Sequence, residues 1–271
     1  MELKIGICQL KVGGDKQANL ARAGDMIRRA AVEGADLVVL PEMFNCPYQQ
    51  DYFPKFAETE ADGESVRFLA DAAGQNHCYL VGGSLPERDG DRLYNTSFVF
   101  DREGLVIAKH RKAHLFDVDI PGGITFKESA VLSAGNQATV FKTEFGRCGL
   151  MICYDLRFPE LFRLLLKDDI KLVFVPAAFN MTTGPAHWDL LFRTRAVDNQ
   201  VFVIGASPAR DNTASYVAYG HSLAVDPFGR IIWQAGAEEI IGIVTLDLDL
   251  VEKVRRELPL LKHRRADLYP V

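Results

Sequence analysis

Three apolar runs in this chain each end in a residue able to do chemistry: LVVLPE in Glu42, LVIAKHRK in Lys112 and GLMIC in Cys153. An acid, a cation and a soft nucleophile are the parts needed for covalent attack on a carbonyl. The acid can take the thiol proton, and the cation can meet the charge that develops on the carbonyl oxygen. Proteins that alternate strands and helices usually collect their chemistry at the C-terminal ends of strands.

Each candidate has a plainer alternative. Cys153 runs straight into YDLRFPE, a strand-to-helix elbow that would expose the sulfur, surround it with backbone N–H groups and favour a thiolate; otherwise it is a buried structural cysteine. Glu42 follows Leu40-Pro41, where proline ends pairing and bends the chain, so its carboxylate would be partly desolvated and its pKa raised; otherwise it is a solvated strand end. Lys112 lies in KHRKAH, a run that normally reads as a solvated basic face. This run leads into the apolar HLFD, so part of it must turn inward. His110, His114, His187 and His221 keep open a rival Cys–His pair of the thiol-protease kind.

The elements that must position these residues alternate along the whole chain. LKIGICQL predicts a strand, and residues 17–35 a helix with Leu20, Ile27 and Ala30/Ala31 on one face. ADLVVLPE is a nearly continuous apolar run, as in a strand covered on both faces. A helix is predicted over 63–75, a strand at CYLVGGS, and a hairpin from RLYNTSFVF, DREG and LVIAKHRK. HLFDVDIPGGITFKESAVLSAGNQA breaks the rhythm; at this length such a loop is functional or disordered, and it is too apolar for disorder. Strands TVFKTEF and RCGLMIC follow, then a helix FPELFRLLLKDD with Pro159 in its first turn. KLVFVPAAF, a helix around 187–198, VFVIGASP, the pair YGHSLAV and IIWQA, IGIVTLDL and a helix around 247–257 complete the chain. Hairpins mixed among strand–helix units predict an α+β, mixed-sheet layered fold. With no linker, repeat or composition break, residues 1–271 read as one domain.

Composition narrows the function classes. The chain has 271 residues, 48% of them hydrophobic and 25% charged, with net charge −5, so a polyanion is not the expected partner. The basic cluster Arg255, Arg256, Lys262, His263, Arg264 and Arg265 fits a dimer contact or a solvated helix end better than a nucleic-acid surface. Five cysteines at irregular spacing, Cys148 and Cys153 in CGLMIC among them, indicate neither a disulfide framework nor a zinc site. The N-terminus enters a strand at once and no apolar run approaches the ~20 residues of a membrane span. A reduced cytoplasmic protein without metal or cofactor is expected.

At LPEMF, HRKAHLFD and GLMICYDLRFPE the sequence resembles the nitrilase superfamily of carbon–nitrogen hydrolases. PGGITFKES, AAFNMTTGPAHW, RAVDNQ, YGHSLAVDPFG and RRADLY extend the likeness over nearly the whole chain. The resemblance implies a four-layer αββα sandwich and a homodimer that buries one helical layer. It implies a triad in which Glu42 is the general base, Cys153 attacks an amide carbon and Lys112 stabilises the oxyanion with the backbone N–H of Tyr154. A thioester and ammonia follow, and water activated by Glu42 releases the acid. Glu128, in GGITFKES, is implied to orient the lysine and help position the substrate.

HLFDVDIPGGITFKES and FNMTTGPAHW resemble the omega-amidase, Nit2-like branch, whose substrates are α-ketoglutaramate and α-ketosuccinamate. Deaminated glutathione amidases and aliphatic amidases share the triad; a non-catalytic dimeric scaffold would have lost it. A substrate ending in a carboxylate needs a cation, and Arg157 suits bidentate capture unless it pairs with Asp155 or Glu160. Tyr48, Phe179, Thr182 and Thr183 match pocket positions of that branch, although Phe179 also suits a core and the threonines also suit a helix cap.

Overall fold

The computed structural model describes residues 1–268; Tyr269 of RRADLY lies outside them, with Pro270 and Val271. The first half carries strands β1 (Glu2–Gln9), β2 (Leu37–Val39), β3 (Tyr79–Val81), β4 (Leu85–Asp89), β5 (Arg92–Phe100) and β6 (Val106–Arg111). Helices α1 (Lys16–Val32), α2 (Phe53–Phe56) and α3 (Glu64–Asn76) lie between them. A ribbon, β7 (Asp117–Asp119) and β8 (Thr125–Lys127), precedes the second half. That half holds β9 (Thr139–Thr143), β10 (Gly146–Leu150), α4 (Pro159–Leu165), β11 (Leu172–Pro176), α5 (Gly184–Asn199), β12 (Phe202–Ala206), β13 (Leu223–Val225) and β14 (Ile231–Gln234). Finally β15 (Ile240–Asp247) returns to pair antiparallel with β1, and α6 (Asp249–Glu257) follows.

Two mixed sheets result, β15-β1-β2-β3-β5-β4 with β6 on β5, and β14-β13-β12-β11-β10-β9. Strand alternation decides what each face covers. Ile5, Ile7, Leu37, Val39 and Val81 of one sheet meet Cys148, Leu150, Leu172, Phe174, Phe202 and Ile204 of the other in one core. Intervening residues point the opposite way: Val38, Leu40 and Leu80 pack under α1 and α3, while Val173, Val175 and Val203 pack under α4 and α5. The layers are therefore helix, sheet, sheet, helix. Leu20, Ile27 and Ala30 make the buried face of α1, and its N-cap is Asp15, whose carboxylate accepts from the N–H groups of Gln17 and Ala18.

Two features depart from the sequence pattern. Strand β4 contains Pro86 and the charged Glu87-Arg88-Asp89, which break any apolar alternation; it forms because β5 is long enough to pair with it beyond β3. The irregular loop after Lys112 carries its own ribbon, Val118 opposite Phe126, closed by a turn in which Gly122 has φ +73°. Three-residue strands are too short to show a period.

Candidate active site

Pairing of β2 ends at Leu40, whose N–H still bonds Val81 O, and Pro41 turns the chain inward. The turn backs onto Gly83, at φ +63°, where a Cβ would stand 2.2 Å from Pro41 O. Only glycine fits that approach. Met43, at φ +50°, is held by a bond from its N–H to Ser84 Oγ at 3.0 Å. The turn aims a fully buried Glu42 carboxylate into the interior, where Oε2 accepts from Ala178 N (2.8 Å) and Oε1 from Asn95 Nδ2 (2.9 Å).

Lys112 follows β6, and alternation splits the basic run in two. Lys109 and Arg111 face outward to Glu87, Glu60 and Asp89, whereas His110 and Lys112 are buried. Lys112 Nζ reaches Glu42 Oε1 at 2.9 Å, Tyr48 Oη at 3.0 Å and Glu128 Oε2 at 2.9 Å. An ammonium has three N–H donors, and three acceptors surround it. Glu128, in the short 3-10 turn after β8, is itself fixed by the Phe116 N–H at 2.7 Å and by the Tyr48 hydroxyl at 3.1 Å. The ribbon β7–β8 thus delivers the second acid.

One positioning group carries no motif. Asn95, buried in the middle of β5, donates from Nδ2 to both Glu42 and Glu128. Its only sequence signal is an amide inside the apolar RLYNTSFVF. The buried charges are two carboxylates around one ammonium. Burial raises the Glu42 pKa, Lys112 pulls it down and Glu128 adds to the rise. Burial alone would lower that of Lys112, but Glu128 and Glu42 hold it well above its usual value.

From β10 the chain passes through Met151 and Ile152 to Cys153, the first residue of a 3-10 turn (Cys153–Arg157). Cys153 sits at φ +46°, a conformation costly for a residue with a Cβ and typical of functional elbows. The exposed thiolate expected at this elbow is corrected by the structure. Cys153 is only 5% exposed, and burial first, then the charge of Glu42, push its pKa well up against the pull of Lys112. It lies beside a carboxylate and an ammonium, those of Glu42 and Lys112. The Tyr154 N–H lies in the first turn, where the helix's own ladder supplies no acceptor.

The four histidines are engaged elsewhere. His110 and His114 bond Asp155, His187 Nδ1 meets an Arg157 nitrogen at 3.1 Å, and His221 stacks on Tyr219. The histidine base of a thiol protease is therefore not assembled at Cys153 among the described residues.

Arg157, four residues beyond Cys153, forms no ion pair with Asp155 or Glu160 among the described residues. Its guanidinium lies 4.8 Å from the Phe179 ring and 5.6 Å from that of Tyr154, with Nε buried and unpartnered. Burial lowers its pKa, and the nearby Cys153 opposes that. Phe179 is 3% exposed and edge-on to Trp188, so it packs in the core while its ring also meets the Arg157 guanidinium. Thr182 and Thr183 do not cap α5 with their hydroxyls. In the turn that precedes the helix, Asn180 Oδ1 accepts from both of their N–H groups at 2.8 and 3.0 Å. Tyr48 packs against Phe126 and Tyr216, and Tyr216 joins the site without any sequence signal, its hydroxyl donating to Ala178 O. A cavity lined by Glu42, Met43, Tyr48, Ala178 and Tyr216 opens beside this wall.

A buried carboxylate, ammonium and thiol lie together in this αββα sandwich, and the chain's likeness to known proteins gives the class: a hydrolase of carbon–nitrogen bonds. Residues 4–256 match the carbon–nitrogen hydrolase family model. The chain is 50% identical to omega-amidase NIT2 of Mus musculus over 268 residues, covering 99% of this chain and 97% of that one. It is 49% identical to omega-amidase NIT2 of Homo sapiens with the same coverage. The crystal structure of Saccharomyces cerevisiae Nit3, a member of branch 10 of the nitrilase superfamily, superposes with TM-score 0.90 at 45% identity, covering 97% of each chain. The protein belongs to the carbon–nitrogen hydrolase family, within the nitrilase superfamily.

Proposed function

We propose that this protein is an omega-amidase, hydrolysing the terminal amide of α-keto acid amides such as α-ketoglutaramate and α-ketosuccinamate to the dicarboxylate and ammonia. The observation that carries the substrate class is Arg157. It is a half-buried cation beside the nucleophile with no acidic partner among the described residues, which leaves its charge for a carboxylate on the substrate. The curated relatives at about half identity carry the same activity in their names.

In this proposal Glu42 takes the Cys153 proton as sulfur bonds the amide carbon. The negative charge moves to the carbonyl oxygen, where Lys112 Nζ and the Tyr154 N–H meet it. When the C–N bond breaks, the proton on Glu42 passes to the departing nitrogen, leaving ammonia and a thioester. Glu42 then takes a proton from water, the resulting hydroxyl adds to the thioester carbon, and as the C–S bond breaks and the carbonyl re-forms that proton passes from Glu42 to sulfur, restoring the thiol and the carboxylate. Dividing the reaction lowers each barrier, and the cation is fixed before charge develops. Glu128, Tyr48 and Asn95 keep Lys112 aimed, and Phe179, Thr182 and Thr183 line the substrate's path.

We assign residues 1–271 to one hydrolase unit, matched by the family model over 4–256. Exposed Leu164, Leu190 and Val197 on α4 and α5, with Phe228 in the turn between β13 and β14, support a homodimer formed at this helical layer. Five free thiols suit a reducing, cytoplasmic setting. No helix among the described residues is long and apolar enough to cross a membrane.

The test is ammonia release from α-ketoglutaramate, α-ketosuccinamate, deaminated glutathione, simple aliphatic amides and nitriles. The α-keto acid amides are expected to give the highest kcat/KM. Preference for an amide lacking that end overturns the substrate assignment and leaves the chemistry standing.

A further inference from the structure

Lys112 and Cys153 are carried by different sheets, through β6 and β10, so no local geometry sets the distance between them. One buried carboxylate joins the two segments. Asp155 Oδ1 accepts from His114 N at 2.9 Å and His114 Nδ1 at 2.8 Å. Its Oδ2 accepts from Ile152 N at 3.1 Å and bonds His110 Nε2 at 3.0 Å. His110 and His114 lie two residues either side of Lys112, and Ile152 immediately precedes Cys153.

We propose that Asp155 is a positioning residue that registers the Lys112 ammonium against the Cys153 sulfur across the two sheets. The proposal rests on the assignment of Lys112 and Cys153 to the reaction. Two further contacts extend the brace. His110 Nδ1 reaches Thr139 Oγ1 on β9 at 2.9 Å, and the His114 ring stacks on Phe158 with centroids 3.7 Å apart and planes 8° apart. Both lysine-flanking histidines are therefore held at each end by the sheet or elbow that presents the sulfur.

Each oxygen of Asp155 accepts one backbone N–H and one ring nitrogen. An asparagine has a single acceptor oxygen, and whichever way its amide turns, its NH2 faces a backbone N–H that cannot give up its hydrogen. Asp155→Asn must therefore shift either the Ile152 or the His114 backbone. Displacement of a fixed group by ~1 Å costs about 100-fold in rate. The expected loss is of that size in kcat with KM little changed, because Arg157 and Phe179 stay in place.

The experiment measures kcat, KM, thermal midpoint and the pH profile of Cys153 alkylation by iodoacetamide for Asp155→Asn and for two matched pairs. In His110→Gln the amide can stand at the Nε2 position, and in His114→Asn at the Nδ1 position; His110→Leu and His114→Leu offer no donor. The expected result is a fall in kcat and a rise in the pH needed for alkylation in Asp155→Asn and both leucine variants, with recovery in the Gln and Asn variants. If Asp155→Asn does not fold, the histidine pairs decide. Unchanged alkylation profiles, or activity lost only in proportion to unfolded protein, overturn the positioning role. A Cys153→Ala variant that keeps releasing ammonia overturns instead the assignment beneath it, and an inactive Cys153→Ala beside a normal Asp155→Asn overturns the brace alone.

Discussion

Replacing Arg157 by methionine keeps most of the stem volume and removes the guanidinium. In the resting protein that group has an imidazole nitrogen at 3.1 Å and two aromatic faces, with no carboxylate among the described residues. Removing it therefore strands no internal charge, and the cost falls on whatever anion the site receives. A hydrogen bond to a charged group contributes about 1.5–3 kcal/mol. At ~1.4 kcal/mol per decade, the loss in kcat/KM on α-ketoglutaramate is about 10- to 150-fold. A neutral amide of similar length never used the cation and should lose less than about threefold, the reach of surface-level effects of ~0.5 kcal/mol. Arg157→Lys keeps the charge without the planar fork and should fall between the two. The assay is ammonia release on both substrates at saturating and sub-saturating concentration, with the effect read as a ratio of ratios. Equal losses on the two substrates, or none on either, would refute carboxylate capture by Arg157.

Lys112→Met leaves Glu42 and Glu128 buried together without their cation, so it should abolish turnover and cost about 3–5 kcal/mol of stability. Thermal melting should show a drop of about 10 °C for a chain of this size. Turnover should also fail on the acid side at a pH above the ordinary carboxylate range. In the proposed reaction Glu42 must be ionised to take the thiol proton, and burial with Glu128 raises its pKa; the acid limb of kcat/KM against pH checks this. Asp155 runs the other way. Burial would raise its pKa, but the bonds from His110 and His114 hold it well below the usual range. The stability it confers is fully present above the unfolded value of about 4 and is lost as pH falls towards its folded value. Acid-unfolding curves should accordingly lose that component in Asp155→Asn. Finally, Asn180→Ala leaves the N–H groups of Thr182 and Thr183 without their acceptor in the turn before α5 and should cost about 1 kcal/mol by denaturant titration.

The order of elements was legible in the sequence because hydrophobic period is a local property. Leu37, Val38 and Val39 announce a strand buried on both faces whatever lies around them, and Leu20, Ile27 and Ala30 announce a helix face. The reactive types at three strand ends were legible for the same reason, since a run that stops at Glu42, Lys112 or Cys153 carries each to a sheet edge. The short β4 and the ribbon β7–β8 were not, because their period is broken by charge or has no length in which to show.

What only the tertiary structure decided is polar pairing between residues far apart in the chain. Glu42, Asn95, Lys112 and Glu128 have no sequence relation, yet they share hydrogen bonds in one buried volume. Whether Cys153 is exposed or buried, whether His110 serves the sulfur or Asp155, and whether Arg157 has an acid beside it depend on how two sheets stack. Burial and neighbouring charge set the protonation of each group, and both arise only when the layers close. Sequence supplied the cysteine, the acid and the cation; packing made the thiol a buried one and left one arginine without an acid among the described residues.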